Sequence, residues 1–127
     1  VIGNIVCNVG TFLAAYSSDT LKVDYNVYYN PSGLETQWWD KDIGIYKLIQ
    51  KWNEKGWDTN SKIEDPMLNG DFTLSENSPV IKFSPKQEMF KDDFNGISRP
   101  AEDKWSAGCY QYVKISKPSE LFFCIFK

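Results

Sequence analysis

No histidine occurs among the 127 residues of this chain. That removes the commonest general base near neutral pH and the commonest side-chain metal ligand. It also excludes the Ser-His and Cys-His nucleophile arrangements. Cysteine is scarce: Cys7, Cys109 and Cys124 lie far apart with no C-x-x-C spacing, so no zinc pattern forms. No apolar run approaches the roughly 20 residues of a membrane span. Neither sign of charge dominates, with 14 Lys and Arg against 17 Asp and Glu and a net charge of −3. This balance argues against a general nucleic-acid-binding surface and leaves only a local basic face open. There is no Gly-rich phosphate loop, EF-hand pattern or glycosylation acceptor, and no repeat, low-complexity tract or linker. No metal or cofactor is called for. Asp and Glu are numerous enough for a paired-carboxylate hydrolase, but no pair stands out. Glu35, Asp40 and Asp42 read as helix-start charges, and Glu64-Asp65 and Asp92-Asp93 as solvated loop charges.

What is present is apolar and aromatic material: 42% hydrophobic residues, 16% aromatic, five tryptophans. That suits one globular domain over residues 1–127. The chain begins at Val1, and with its cysteines this is read as the product of signal-peptide cleavage. Cys7 and Cys124 each sit in a strand-like run, Ile5-Val6-Cys7 and Phe122-Phe123-Cys124-Ile125-Phe126. A bond between them would close nearly the whole chain, put its first and last strands side by side and mark an oxidising compartment. Three cysteines allow three pairs, and three buried free thiols are the alternative.

Val23, Tyr25 and Val27 alternate with polar residues, a strand pattern. Ile43, Tyr46, Ile49 and Trp52 recur every three residues, with Ile45 and Leu48 widening the stripe, which predicts one main helix from about Lys41 to Lys55. Asp40 or Asp42 would cap it and Gly56 stop it. A polar loop is expected from Asp58 to Asn69. Short strands follow at Phe72-Thr73-Leu74, Val80–Phe83 and Gly108–Ile115, with a loop over Asp92–Glu102. Helix early and strands late predict an α+β fold, one main helix packed on an antiparallel sheet.

Exposed Trp and Tyr favour binding surfaces. Trp52, on the apolar stripe, is assigned to the core. Neighbouring strand residues face opposite ways, so one of Trp38 and Trp39 is expected to point outward. Trp57, just past the helix stop, is the other candidate. Lys47, Lys51 and Lys55, with Lys41, give the predicted helix a basic side beside these rings. Lysines beside aromatics can bind phosphate backbones or acidic partners, and a plain solvated helix face is the simpler reading.

The second half carries a series of motifs: Asn69-Gly70-Asp71-Phe72, Val80-Ile81-Lys82-Phe83-Ser84-Pro85, Phe94-Asn95-Gly96 to Arg99-Pro100, Ala107-Gly108 and Phe122-Phe123-Cys124. In order and spacing this resembles the small fungal guanyl-specific ribonucleases over about half the chain. The catalytic positions depart from that family. Pro66-Met67 stands where it has Pro-His, Lys82 where it has the catalytic Glu, and Asp103 or Lys104 where it has the Arg. Tyr112 takes the place of the second His. Internal attack by a 2′-hydroxyl needs both an acid and a base, so the resemblance implies a ribonuclease scaffold without the chemistry. It also requires an insertion or a displaced helix between Leu34 and Asp65.

Such scaffolds are similar to the secreted ribonuclease-like effectors of powdery mildews, small proteins with one cysteine near each end, although Ile5 stands here where those carry an aromatic. The resemblance implies a catalytically inactive virulence or avirulence protein, a monomer without a membrane anchor. It would be secreted and delivered into host cells, bind a host protein, and be detected by an immune receptor, with RNA as a second class of partner. Rival readings are an inhibitor or immunity protein that plugs a partner enzyme, and an aromatic-rich carbohydrate-binding domain.

Overall fold

The computed structural model describes residues 1–15, 21–31, 37–40, 44–46 and 49–114. The described strands are short. The first sheet contains β1 (Ile5–Cys7), β3 (Val27–Tyr29) and β6 (Lys62–Ile63), in the order β1-β3-β6 with both pairings parallel. The second contains β2 (Thr11–Ala15), β4 (Gln37–Asp40) and β5 (Gly44–Tyr46); β2 pairs with β4 in parallel, and β4 with β5 in antiparallel fashion. A short antiparallel pair joins β7 (Ser84–Pro85) to β8 (Lys104–Trp105). Between β5 and β6 lies α1 (Ile49–Asn53), five residues long.

The first sheet is the middle layer because β3 is buried on both faces. Side chains alternate along a strand, and Val27 enters one apolar cluster while Tyr28 enters the other. Ile5 and Val6 of β1 divide in the same way. One cluster holds Phe12, Val23, Tyr28, Trp38, Trp52 and Trp57. The other holds Val27, Leu74, Val80 and Ala107. Burial on both faces is the usual environment of parallel strands.

The first cluster is organised around one carboxylate. Asp58 is 1% exposed. One of its oxygens accepts from Asn26 Nδ2 at 2.8 Å and from the Ser61 hydroxyl. The other accepts from the Tyr28 hydroxyl at 2.7 Å and from Trp52 Nε1 at 2.8 Å. Its backbone N–H donates to the Val23 carbonyl at 2.7 Å. Asp58 thereby ties β3, α1 and the start of β6 together. It does so at φ +53°, a left-handed conformation that Asp tolerates better than most residues. Burial, followed by the adjacent Asp58 carboxylate, pushes the Tyr28 phenol far above its ordinary pKa.

The expected α+β arrangement is therefore corrected. Among the described residues no helix reaches seven residues, and none packs as a main helix on an antiparallel sheet. The predicted helix over Lys41–Lys55 is divided: residues 41–43 and 47–48 lie outside the described residues, Gly44–Tyr46 forms β5, pairing Trp39 with Ile45 and Trp38 with Tyr46, and among the described residues the helical part is Ile49–Asn53. Gly44 weakens the helix and the β-branched Ile45 favours the strand. The three-residue apolar spacing still put Trp52 inside, and Gly56 does stop the helix, at φ +81° with its N–H on the Asn53 carbonyl.

Other strand expectations shift as well. The pattern over Val23–Val27 is interrupted by Tyr25 at φ +54°, and β3 starts only at Val27. Phe72 and Lys82 also take positive φ; Phe72–Leu74 forms no strand beyond an isolated antiparallel bridge from Leu74 to Leu68, and Val80–Lys82 is a turn. The polar loop expected at Asp58–Asn69 opens on the buried Asp58 and contributes β6. The strand expected at Gly108–Ile115 does not form within its described part, residues 108–114. The expected strand at Ile5–Cys7 is β1.

Candidate functional site

Of the predicted surface of Trp38, Trp39, Trp57, Lys47, Lys51 and Lys55, two indoles lie in the core instead. Trp38 is 1% exposed and Trp57 6%. Trp52 lies between them, its ring 6.5 Å from that of Trp38 and 4.6 Å from that of Trp57. The cause is the Asp58 network: drawing Trp52 Nε1 to a buried carboxylate collects the neighbouring indoles around it. Trp39 is half-buried on the opposite side of β4, as alternation requires. Lys51 is exposed and paired with Glu54 at 2.6 Å. Lys55 lies over the Trp57 ring, its Nζ 5.8 Å from the centroid. Lys47 falls outside the described residues. Lys55 thus covers the edge of the core, and its aliphatic stem shields an indole from water.

The positions aligned with ribonuclease catalytic residues are engaged elsewhere or buried. Lys82 is exposed and paired with Glu102 at 2.9 Å, Pro66 is buried, Lys104 lies on β8, and Tyr112 packs against the second apolar cluster. No disulfide joins the two described cysteines, half-buried Cys7 and exposed Cys109. Burial, with the Asp65 charge adding to it, raises the Cys7 thiol pKa. Cys124, the partner expected for Cys7, lies outside the described residues.

A cleft of about 420 Å³ opens where the N-terminal segment meets the β7–β8 pair and the loop from Gln87 to Arg99. Two glycines close its floor. The Gly108 N–H donates to the Gly3 carbonyl at 2.7 Å, and both residues have positive φ. A Cβ on Gly3 would meet Ser84 Oγ at 2.3 Å, and one on Gly108 would meet Ile5 Cδ1 at 3.0 Å. A side chain at either position would strain the left-handed backbone and push a neighbouring side chain aside.

The walls carry Phe90, Phe94 and Trp105, with Asp92, Asp93 and Arg99 as the charged groups. Trp105 is buried, its Nε1 donating to the Pro100 carbonyl at 2.9 Å. Arg99 lies over that indole at 5.2 Å. Its Nη2 donates to the Gly108 carbonyl at 3.2 Å and the Cys109 carbonyl at 3.5 Å, and its Nη1 to Gln111 Oε1 at 3.5 Å. Arg99 is thus fixed in the wall. Phe90 and Phe94 are 57% and 77% exposed, and the Phe94 ring is braced edge-on by Tyr110 at 5.9 Å.

Asp93 was expected to be a solvated loop charge and is instead buried. One oxygen accepts from the N–H groups of Asn95 at 2.8 Å and Ile97 at 2.9 Å, the other from that of Gln111 at 2.9 Å. This bridge fixes the loop that carries Phe94. Burial pushes the Asp93 carboxyl up, but the three amides and the nearby Arg99 guanidinium outweigh it, and its pKa lies below the usual range.

A carboxylate with a depressed folded pKa contributes stability above the unfolded value, about 3.9, and loses it as the pH falls through the folded value. Asp93→Asn should therefore be less stable than the parent near neutral pH. The gap between their urea midpoints should shrink on acidification below about pH 4. A gap that stays constant with pH would show that the charge of Asp93 plays no part.

Sequence reading missed this cleft. The available signal was Met89-Phe90-Lys91-Asp92-Asp93-Phe94-Asn95-Gly96, where apolar rings interrupt a polar, turn-forming stretch that opens an Asx-type turn. Among the described residues no group of three or more His, Cys, Asp or Glu could hold a metal ion, and no helix is long and apolar enough to cross a membrane. No family model, curated protein or solved structure matches the chain.

Proposed function

We propose that this chain is a secreted, non-catalytic effector that acts by binding a host protein at the cleft beside the Met89–Phe94 loop. The observation that carries this reading is the set of large apolar side chains that one loop presents to solvent. Met89 is 79% exposed, and Phe90, Phe94 and Ile97 accompany it. Soluble proteins seldom leave such groups together in water unless a partner covers them. The loop is braced from below by Asp93, so it offers a preformed surface and loses little ordering entropy on binding.

The groups within the cleft suit recognition better than turnover. Asp93 is held by three backbone amides, and Arg99 is committed to carbonyl oxygens and the Trp105 face. Secretion is supported by the cysteine placement, and a host immune receptor is the partner class that the resemblance to mildew effectors suggests. RNA is the weaker candidate, because the acidic groups outnumber the single cation in the cleft and phosphate backbones are bound chiefly by Lys and Arg.

Incubation with single-stranded RNA should give cleavage no faster than a buffer control. Turnover above that background, abolished by changing a single Asp or Glu, would overturn the non-catalytic reading.

A further inference from the structure

The three charged residues of the cleft are not equivalent. Asp93 and Arg99 lie close enough for the guanidinium to lower the carboxyl pKa, and both are engaged within the protein: Asp93 by three amides, Arg99 through its Nη1 and Nη2 by two carbonyls and Gln111 and over the Trp105 ring, with only its buried Nε left without a partner among the described residues. Their charges offset one another. Asp92 is different. Its backbone bridges to Ser98, and it is exposed at the cleft wall. Among the described residues no hydrogen bond or ion pair engages its carboxylate. Lys86 and Lys91 line an adjoining depression that shares Gln87, Phe90, Arg99 and Trp105 with the cleft but do not line the cleft itself, and Lys86 is already paired with Glu88 at 3.3 Å. Among the residues that line the cleft itself, Asp92 is the charge without a partner, flanked by the exposed rings of Phe90 and Phe94.

An aromatic face carries negative partial charge and attracts a cation, most strongly where water is excluded. A free carboxylate beside two such rings is therefore a receptor for a group that is both cationic and apolar along its stem. We infer that the cleft binds a basic side chain, the guanidinium or ammonium of an Arg or Lys on the partner protein, with Asp92 as its counter-ion and Phe90 and Phe94 as its walls. The cleft's volume of about 420 Å³ accommodates a long side chain, and the chain's net charge of −3 favours approach of a basic partner. This inference rests on the binding-protein reading above and specifies its partner chemistry.

The test is an NMR titration of the ¹⁵N-labelled protein with acetyl-Arg-Arg-amide at low salt, with inorganic phosphate as the anionic control. The dipeptide should shift the backbone amides of residues 90–94, and added salt should weaken the effect. Asp92→Asn should lower its affinity roughly threefold to fivefold, and Phe94→Ala should do so by a similar factor. Both side chains are exposed, so the unfolding midpoints of the variants should match the parent. Equal affinity in the parent and Asp92→Asn, or no shift at these amides, overturns the inference. So does phosphate shifting the same amides with tighter binding in Asp92→Asn, since that would make Arg99 the recognising group. Failure here leaves the RNA test of the wider reading standing, and RNA turnover would not by itself move the dipeptide result.

Discussion

Asp58→Ala should lower the unfolding free energy by about 4 kcal/mol, near the upper end for a single substitution. Four donors converge on this carboxylate: the Asn26 amide, the Ser61 and Tyr28 hydroxyls and the Trp52 indole. Each buried donor left without an acceptor costs roughly 1–3 kcal/mol, and the terms do not add fully because the cavity relaxes and admits water. Asp58→Asn is the sharper test because it keeps the volume. Its amide nitrogen would face two of the four donors, so the loss should approach that of alanine. Tyr28→Phe removes one donor and leaves the other three, and should cost only about 1 kcal/mol. Urea unfolding of the three variants at one pH measures the order. An Asp58→Asn variant within about 1 kcal/mol of the parent would show that the carboxylate is not the organising group.

The second large effect concerns the chain ends. Cys7 lies on β1, at the edge of the order β1-β3-β6, and is not bonded to Cys109. Pairing with Cys124 would close a loop over most of the chain. In the chain-entropy account that removes freedom from the unfolded state worth roughly 4–5 kcal/mol. The oxidised protein should weigh two hydrogens less than the reduced form, and a proteolytic map should join the Cys7 and Cys124 peptides. Cys7→Ser should destabilise the oxidised protein by that full amount and leave the reduced protein little changed. A peptide joining Cys109 to either terminal cysteine would sink the proposal. Exposed Cys109 should meanwhile react with a thiol reagent without denaturant.

Several features were legible before the structure. The β-branched Ile5-Val6 run is β1, Trp52 is in the core, and Gly56 ends the helix. Each depends on nearest-neighbour physics: side-chain branching, apolar spacing, and a backbone angle that glycine adopts at little cost. The helix over Lys41–Lys55 was misread because Ile43, Tyr46, Ile49 and Trp52 satisfy a helical period while Gly44-Ile45-Tyr46 also suits a strand. The partner strand, with Trp38 and Trp39 opposite Tyr46 and Ile45, decided between them. Trp57 was placed on the surface, and Trp38 left undecided against Trp39, for a related reason. Their burial follows from a polar group, Asp58, which looked like the start of a solvated loop.

The candidate cleft was less legible still. Phe90 and Phe94 read as ordinary apolar residues, and Asp92 and Asp93 as one acidic pair. Three backbone amides make one of those acids structural and leave the other free, and those amides come from residues 95, 97 and 111.

The sequence by itself determined what chemistry the chain can draw on. It has no imidazole, few thiols, a balanced charge and an excess of aromatic rings, and these limits hold in any fold. Tertiary structure decided which rings are core and which face water, and which acids are bound or free. Burial and hydrogen bonding depend on residues far apart in sequence. Asp58 reaches Asn26 and Tyr28 across 32 and 30 positions, and no local pattern encodes a contact made over that distance.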